Sequence, residues 1–593
     1  MSTSEEMMYE WNSIPWRALQ RKVFKLQNRI YQASRRGDVK TVHRLQRLLL
    51  KSRSATFIAV RRVAQENQGK RTAGIDGLAS LRSEKKLALA LKILKDPITP
   101  KAKPLRRVWT PKPDTNEKRP LGIPVMEDRA RQALAKMALE PEWEAKFEPN
   151  SFGFRPGRSC HDAIQAIFNH LRAAPKYVLD ADISKCFDRI NHRALLMKIG
   201  TFPLLQRTIR AWLKAGIMDG GQLFPVLEGT PQGGVISPLL ANIALHGLEQ
   251  AIREPFTQFK QLPGKKGRIP WKPQMIRYAD DFVIFHRDHD ALLRAKQIAE
   301  EWLSGMGLEL KPSKTRITHT LTDIDGSVGF DFLGFNVRQY PRGRNRCMHD
   351  PAGNPVGFTT NITPSKKSQR RFITKIRTII RFNRNIDQNG LIQLMNPVIR
   401  GWGNYHSRVV SKRVFQTMDM LIYRKLWSWA RRRHPNKGRR WVAHKYWLLK
   451  TRGWVFGIDG KITLHKLADI PIQRHVLVKG SRSPYDGDAF YWSSRLGRHP
   501  LVPQSLANLI KRQQGYCPVC GHFFMPGDCV TVIRPKADIT ESHGSQAVLV
   551  HHHCQDLPDR RCTMTTYHFS EEPYEGKLSR TVLKTSRSRE APA

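Results

Sequence analysis

The sequence predicts a multidomain α/β (α+β) protein, and three observations lead to that class. Residues 106 to 337 mix apolar strand patterns with amphipathic helices. Residues 365 to 450 consist of basic helices instead, and cysteines crowd the segment that follows residue 511. At 593 residues, 40% of them hydrophobic, the chain is too long for one core and too apolar for a disordered polymer.

The charge of the chain predicts a polyanionic partner. Lys and Arg number 101 against 50 Asp and Glu, a formal net charge of +51 that is spread along the sequence. Nucleic acid explains such an excess better than an acidic protein or a membrane surface does. A ribosome-associated structural protein is the alternative, but such proteins are usually much shorter.

No membrane partner is expected from the sequence. No apolar run is long enough to span a bilayer, and the acidic start MSTSEEMMYE has the features of neither a secretory signal nor a transit peptide. We therefore expect a bacterial cytoplasm or an organelle matrix.

The chain begins with predicted basic helices over residues 16 to 65. Apolar residues there alternate spacings of three and four, as on one face of a helix, and they are Trp16, Leu19, Val23, Leu26 and Ile30. We expect that face to pack on its own domain, whereas the Arg and Lys on the other face could track phosphates. A loop punctuated by glycines follows at 69 to 78.

The middle of the chain is predicted to alternate strands and helices. Residues 106–129 are predicted to form two strands around a polar turn, followed by the start of a helix. A buried strand leads into a helix at 177–192, and a Gly/Pro loop leads into an apolar helix at 228–249. A β-hairpin, an amphipathic helix and two short strand segments then follow, at 275–285, 288–305, 307–315 and 329–337.

Basic and aromatic residues interleave between 365 and 450, as in WSWARRRHPNKGRRWVAHKYW. That mixture suits stacking on unpaired bases together with phosphate contact. A helical bundle with a solvated basic face is the alternative. The large charge excess favours RNA contact.

Two adjacent carboxylates, Asp280 and Asp281, stand at the predicted hairpin tip in RYADDFVIF. They could form a solvated turn, pair with an arginine, or bind a metal ion. Asp182 ends another buried strand, on the same face as Asp180 by the period of two. Three converging carboxylates are what two-metal phosphoryl chemistry with Mg²⁺ requires.

An ordered set of motifs resembles the reverse transcriptases encoded by group II introns. The set comprises RPLGIP, SFGFRPGRSCHDAI, DADISKCFD, GTPQGGVISPLLANI, YADD, LKPSKT and FLGF. The resemblance covers about residues 70 to 475, and IRGWGNYH resembles the start of the family's maturase part. It implies a right-hand polymerase with fingers and palm built on antiparallel sheet, then a helical thumb and maturase (X) domain.

The resemblance also implies site residues. Asp182, Asp280 and Asp281 would bind two Mg²⁺ ions, and the carbonyl of Ile183 would add an oxygen ligand. Phe187 stands where the family has the ring that excludes a ribose 2′-hydroxyl and so selects dNTPs, although the ring could be plain core.

Further nucleotide-binding residues follow from the same resemblance. Gln232 would lie against the incoming nucleotide. Lys112 and Arg119 match the family's triphosphate-binding pair, with a solvated basic turn as the alternative. Lys314 of PSKT would lie near the active site or the primer.

The C-terminal cysteines predict a structural zinc site. Cys517, Cys520 and Cys554, with His551 or Cys562, would complete a four-coordinate set. The segment resembles the HNH endonuclease domain that some family members carry, but Thr531 and Val532 replace its two histidines.

Other positions of the HNH pattern depart as well: Gln546 and Ala547 fall where the family has an NL pair, and Gln555 replaces a histidine, although His543 stands near as a substitute. Because neither Thr nor Val can act as an imidazole base, we expect a zinc-stabilised fold that has lost DNA cleavage and keeps DNA binding.

These expectations divide the chain into six parts. They are an N-terminal basic extension, fingers and palm, thumb and maturase domain, a DNA-binding linker, an HNH-like zinc domain and a flexible tail, at 1–80, 81–345, 360–475, 476–510, 511–570 and 571–593. The expected partners are group II intron RNA, an RNA template with a DNA primer, dNTPs and target DNA. A splicing-only maturase and a free-standing cellular reverse transcriptase are the alternatives.

Overall fold

The computed structural model describes residues 11–111, 117–226, 228–261, 268–349, 353–450, 453–496, 502, 504–525, 528–535, 547–554 and 562–568. Among these residues, no helix combines the length and the apolar character that a membrane crossing needs.

The N-terminal layer consists of helices, as predicted for residues 16 to 65. They are α1 (Trp16–Arg35), α2 (Val39–Leu50), α3 (Arg53–Arg61) and α4 (Ser83–Lys95). Asp38 and Ser52 cap α2 and α3 by accepting a backbone N–H with their side chains. Val23 and Ile30 are buried in the core as the helical spacing predicts.

The next elements are β1 (Leu105–Pro111), β2 (Lys118–Ile123), α5 (Met126–Glu144) and α6 (Cys160–Leu171). β1 and β2 form the predicted antiparallel pair. Ser159 and Asp162 cap α6 with a capping box, in which each side chain accepts the other residue's backbone N–H.

The middle of the chain adds a long run of elements. The helices are α7 (Cys186–Arg189), α8 (His192–Ile199), α9 (Pro203–Leu213), α10 (Ser237–Leu245), α11 (Leu248–Arg253) and α12 (His289–Ser304). The strands are β3 (Tyr177–Asp182), β4 (Ile217–Asp219), β5 (Gln222–Phe224), β6 (Phe259–Gln261), β7 (Arg268–Pro270), β8 (Gln274–Tyr278), β9 (Asp281–His286) and β10 (Arg316–His319).

A four-stranded antiparallel sheet, called the central sheet below, has the order β10-β3-β9-β8. Its two faces are both buried, because alternate strand residues enter two different core clusters. Leu179 and Phe282 belong to one cluster, Val178 and Val283 to the other. A second sheet has the order β2-β1-β4-β5.

One predicted strand segment is wrong. Residues 307 to 315 contain an isolated bridge between Leu310 and Ile183 and a 3₁₀ turn at Pro312–Lys314, and the strand begins only at Arg316. Proline lacks a backbone N–H and has a fixed φ, so it interrupts a strand here. The segment 329 to 337 does form strands, β11 (Phe330–Phe332) and the start of β12 (Phe335–Pro341).

A mainly helical unit follows. Its elements are β13 (Phe358–Pro364), α13 (Lys366–Phe382), α14 (Gln388–His406), α15 (Lys412–Arg433), α16 (Arg439–Tyr446), β14 (Trp447–Lys450), β15 (Gly453–Ile458) and β16 (Ile462–Thr463). Many of its aromatic rings are core rather than surface: Phe372, Phe415, Trp429, Tyr446 and Trp447 are buried together. Tyr423, Trp441 and Trp454 stay exposed beside the basic residues.

The described C-terminal elements are α17 (Ala489–Leu496), α18 (Gln504–Arg512), β17 (Cys529–Pro535), β18 (Val548–His551) and β19 (Cys562–His568). The three strands form a sheet in the order β18-β17-β19. Its core contains Val530, Val532 and Leu549, packed with Leu506 and Ile510 of α18.

Candidate active site

Like charges meet at one end of the central sheet. β3 ends at Asp182, β9 begins at Asp281, and the antiparallel register sets these residues directly opposite each other. Asp280 precedes β9 in the turn that joins Tyr278 to Asp281. The structure therefore brings the three predicted acids to one place. Asp180 lies on the same face as Asp182, as the period of two predicts.

Buried polar groups hold the turn that carries Asp280. Ala279 adopts φ +57°, a region that residues other than glycine seldom occupy, and Arg277 Nη1 donates to its carbonyl at 3.2 Å. The same nitrogen donates to Asn242 Oδ1 at 3.1 Å, and Asn242 Nδ2 donates to the Gly153 carbonyl at 2.8 Å. A Cβ on Gly153 would lie 2.4 Å from the backbone nitrogen of Ala279.

Sequence reasoning did not single out Arg277, Asn242 or Gly153 as supports of this turn. A signal was present for Asn242, which is a buried polar residue inside the otherwise apolar helix SPLLANIAL. A buried polar side chain requires a hydrogen-bond partner, so such a residue indicates a structural contact even when that partner cannot be identified.

Burial and neighbouring acids raise the pKa values of Asp280 and Asp180. Burial and then the neighbouring Asp182 raise the pKa of Asp280 to about 6, and its Oδ1 is buried without a hydrogen-bond partner. Burial, Asp331 and Asp182 raise the pKa of Asp180 to about 7. Carboxylates crowded in this way are stable in their charged form only beside a cation.

Lys314 places a positive charge beside this cluster. Its Nζ donates to Asp182 Oδ2. Burial alone would lower the pKa of Lys314, but this hydrogen bond and the charges of Asp281 and Asp280 raise it. Lys314 lies in the 3₁₀ turn Pro312–Lys314, and the backbone N–H of Lys311 donates to the Asp182 carbonyl at 2.8 Å, which anchors that turn to β3.

The acid cluster fits a divalent cation. Asp280 offers an orphaned buried oxygen, Asp182 and Asp281 face each other, and a lysine ammonium already neutralises one of them. Mg²⁺ takes oxygen ligands and uses few carboxylates per ion, so the donor set suits it.

The GTPQGG loop packs against both strand β2 and the segment after β3. The backbone N–H of Thr230 donates to the Phe187 carbonyl, and that of Gly122 donates to the Gln232 carbonyl, at 2.5 and 2.9 Å. Gln232 Nε2 lies 3.3 Å from Asp188 Oδ1. The Phe187 ring is partly buried against the core and meets Phe154 edge to face at 6.2 Å.

The other predicted nucleotide-binding residues differ in their position relative to the acids. Arg119 lies on β2, paired with Thr110 of β1, and its charge acts on Asp280 to lower that residue's pKa, against the larger effect of burial. Ile183 is buried and forms the bridge with Leu310. Lys112 lies outside the described residues.

Four potential zinc ligands converge in the C-terminal unit. One ligand atom from each of Cys517, Cys520, His551 and Cys554 lies within 4.8 Å of all the others. Cys520 Sγ is 3.1 Å from His551 Nδ1, and His551 Nε2 is 3.2 Å from Asp528 Oδ2.

The cluster has the chemistry of a structural zinc site. Mutual hydrogen bonds lower the pKa of the Cys517 thiol and raise that of the Cys554 thiol, so the crowded thiols share protons. The thiolate is the form of cysteine that binds a metal. Asp528 binds the far nitrogen of His551, the arrangement that commonly orients a histidine ligand. The strand register sets the alternative ligand Cys562 opposite Pro535, whereas His551 pairs with Val530 at the other end of β17.

Two positions where the HNH pattern has histidines lie inside this unit's sheet. Thr531 and Val532 are buried in β17, and the Thr531 hydroxyl is 3.0 Å from His552 Nδ1. Ala547 is partly buried against the same core. His543, Gln546 and Gln555 lie outside the described residues.

Three family models match the chain in separate segments. Residues 110–337 match the model "Reverse transcriptase (RNA-dependent DNA polymerase)", and residues 11–93 match the "N-terminal domain of reverse transcriptase". Residues 369–447 match "Group II intron, maturase-specific domain". None of these three segments extends into the cysteine cluster.

Curated proteins resemble between about half and two thirds of the chain. It is 36% identical to Protein YkfC of Escherichia coli (strain K12) over 330 residues, which are 50% of this chain and 83% of that protein. It is 32% identical to Group II intron-encoded protein LtrA of Lactococcus lactis subsp. cremoris over 326 residues, 46% of this chain and 53% of that protein. It is 26% identical to Maturase-like protein 1 of Euglena gracilis over 400 residues, 66% of this chain and 76% of that protein. The chain thus spans about half the length of the Lactococcus protein.

Proposed function

The chain belongs to the group II intron reverse transcriptase and maturase family, and from this premise we propose that it copies RNA into DNA at Asp182, Asp280 and Asp281. The observation that carries this proposal is the register that sets Asp182 opposite Asp281, beside the buried Asp280. Two Mg²⁺ ions held there would lower the pKa of the primer 3′-hydroxyl and neutralise the triphosphate.

The protein's own residues prepare this site. Arg277 and Gly153 hold the turn, so that the Asp280 carboxylate has its position before substrate arrives. In the reaction the primer 3′ oxygen attacks the α-phosphate of a dNTP, and pyrophosphate leaves. Arg119 contributes positive charge on the triphosphate side, and Lys112 is proposed to join it.

Residues beside the acids would select dNTPs over ribonucleotides. The Phe187 ring would clash with a ribose 2′-hydroxyl, and Gln232, tethered to Asp188 in the free chain, would turn to the incoming nucleotide. Lys314 would leave Asp182 when a metal ion enters and then lie near the primer terminus or nucleotide. The carbonyl of Ile183 is proposed as a further oxygen ligand.

We further propose that the helical unit α13 to α16 serves as thumb and as the intron RNA-binding maturase surface. Support comes from the match over residues 369–447 and from the exposed Tyr423, Trp441 and Trp454 among basic residues. Lys445 lies 4.8 Å from the Trp441 ring centroid, so base stacking and phosphate contact could occur side by side. This surface would assist splicing of the parent intron and support its mobility at target DNA.

Primer extension tests the polymerase directly. Purified native chain, Mg²⁺, dNTPs and an RNA template with a DNA primer should yield cDNA, whereas Asp280→Ala should yield none. Asp331→Ala, which changes an exposed acid near the site, is the matched control and should retain extension. If the native chain does not extend but binds intron RNA with strong salt dependence, the splicing-only maturase replaces the polymerase as the function.

The C-terminal unit is proposed to bind zinc and to lack DNA cleavage. Its four converging ligands support the metal, and the burial of Thr531 and Val532 supports the loss of the nuclease, because neither position offers an imidazole as base or as metal ligand. Incubation of the protein with target duplex and Mg²⁺ should leave both strands intact. Clean nicking of one strand would refute the loss.

A further inference from the structure

The motif RPGRSCHD at residues 155–162 takes no part in the acid site, yet it binds the C-terminal part of the chain. Asp162 has a side chain with no exposed surface. Its Oδ2 accepts the backbone N–H and the hydroxyl of Ser159, both at 2.9 Å, which closes the capping box of α6. Its Oδ1 instead accepts three hydrogen bonds from residues 313 to 333 positions later.

The three donors to Asp162 Oδ1 belong to one continuous segment. His475 Nε2, the backbone N–H of Val478 and Arg495 Nη2 lie 3.0, 2.9 and 2.6 Å from that oxygen. Burial alone would raise the pKa of Asp162, but His475 and Arg495 hold it well below its usual value. A buried carboxylate is tolerable only with such partners, so the motif and the segment depend on each other.

Two more residues of the motif fit the same segment. Arg158 Nη2 donates to the carbonyls of Gly480 and Arg482 at 2.9 and 3.3 Å. Gly157 has φ +71°, and a Cβ there would lie 2.4 Å from the ring of Trp492. Trp492 is among the largest fully buried side chains of the protein. Residues 475–496 are called the strap below.

The strap continues across the N-terminal layer. The Tyr485 hydroxyl donates to Glu140 Oε2 of α5 at 2.7 Å. Asn28 and Gln32 of α1 donate to the carbonyls of Tyr485 and Asp486 at 3.0 and 3.3 Å. The strap thus contacts α1, α5 and α6, all of which lie more than 300 residues before it in the sequence.

The helical unit is tied to the same place. His161, next to Asp162, lies with Nε2 2.7 Å from the carbonyl of Tyr405 in the last turn of α14, and a carbonyl can only accept, so Nε2 donates. Just before the strap, the backbone N–H of Gln473 donates to the Ser407 carbonyl at 3.0 Å. The end of α14 is therefore held by His161 on one side and by the chain that leads into the strap on the other.

We propose that the 157–162 motif is the binding site of the strap and that Asp162 is a positioning residue. By binding the strap, Asp162 fixes the helical unit relative to the acid site. That position sets how long the protein stays bound to its primer–template. This inference rests on the proposed polymerase function. It makes the strap, predicted as a DNA-binding linker, a structural part of the polymerase.

The test uses the full-length chain and separates two measurements. The first is the rate at which preformed complexes of the protein with primer–template add a single nucleotide. The second is the median product length when an excess of unlabelled template traps every protein that dissociates. Asp162→Asn removes the negative charge. It also replaces one of the two carboxylate oxygens by an N–H₂ group, which cannot accept the hydrogen bonds that this oxygen accepts. We expect it to shorten the products several-fold while the first-nucleotide rate stays within about twofold.

Matched variants separate positioning from folding. Asn169→Ala changes an exposed residue of α6 outside the motif and should leave product length unchanged, whereas Arg495→Gln should shorten it. His475→Gln keeps a donor and should act more weakly than His475→Phe. If Asp162→Asn does not fold, Arg495→Gln and His475→Phe carry the test on their own.

Amide hydrogen exchange provides a second test that does not depend on catalysis. Asp162→Asn should raise exchange in the strap and in the last turn of α14 together. Product length and nucleotide rate falling in equal proportion, or exchange rising in the strap alone, would overturn the inference. A native chain that adds no nucleotide would instead refute the proposed function, and the exchange test would still decide whether the strap holds α14.

Discussion

Asp182 and Asp281 lie directly opposite each other in the antiparallel pair of β3 and β9. Like charges in that position repel and destabilise a sheet, so the arrangement needs a cation to offset it. Lys314 supplies positive charge there by binding Asp182. The chain therefore carries stability costs at this place that metal binding would remove, and these costs can be measured.

The metal-free stability of the chain should rise when Asp280 is neutralised. Its pKa is about 6 in the folded chain against an ordinary value of 3.8, so the folded state holds the proton more tightly. Stability is therefore lost as pH rises from about 4 to about 6. At pH 7 with chelator, Asp280→Asn should increase the free energy of unfolding by about 1 to 3 kcal/mol, the usual cost of an unsatisfied buried group.

Urea unfolding at pH 7 and pH 4 checks this prediction. The gain should disappear at pH 4, where the native carboxyl is protonated, and Mg²⁺ should stabilise the native chain more than the variant. Asp323→Asn, which changes an exposed acid, is the control. A variant that is less stable than the native chain at pH 7 without metal would contradict the raised pKa.

Removal of Lys314 should tighten Mg²⁺ binding in the absence of nucleic acid. The ammonium and the metal ion compete for Asp182, so Lys314→Met removes a competitor. We expect the Mg²⁺ concentration at half-maximal thermal stabilisation to fall several-fold. Lys311→Met is the matched control, because only the backbone of Lys311 contacts Asp182. An unchanged or higher Mg²⁺ midpoint would show that the ion binds without displacing Lys314.

Ribonucleotides should be incorporated more readily after Phe187→Ala. The partly buried ring meets Phe154 edge to face, and the Phe187 backbone carbonyl accepts from Thr230 of the GTPQGG loop. In the proposed site the bulk of the ring would meet a ribose 2′-hydroxyl. Discrimination between dNTP and rNTP, measured as the ratio of kcat/KM values, should fall by on the order of tenfold. Phe168→Ala, in a partly buried ring on the second core cluster, should leave the ratio intact. Equal losses with both nucleotides would assign Phe187 to the core alone.

Zinc should leave the chain when Cys520 is replaced. Cys520→Ser removes one of four converging ligands, so metal content measured by mass spectrometry should fall, and amide exchange in β17 and β18 should rise. Cys347→Ser changes a buried thiol that bonds the Arg344 carbonyl outside the cluster and should keep the zinc. Native protein purified without any zinc would argue against the metal site itself.

Local patterns were sufficient for much of the site. Buried apolar runs predicted β3 and the β8–β9 hairpin. The spacing of Cys517, Cys520 and Cys554 predicted a ligand cluster with either His551 or Cys562, and the structure brings His551 to the three cysteines. The segment 307–315 was wrong, because Pro312 turns the chain before the strand begins. The aromatic residues interleaved with basic residues in the helical unit were expected to contact RNA. Many of them are instead buried, because they lie on the apolar faces of helices that pack together.

Short-range periodicity alone determined which side chains each strand and helix presents, because side-chain direction follows from residue spacing within one element. The partners of those side chains came from the tertiary structure. Arg277 meets Asn242 beneath the acid turn, and Asp162 meets His475 and Arg495 across more than half of the chain. Burial makes such polar contacts obligatory without specifying in the sequence which distant residue supplies the partner; only the packed fold decides that.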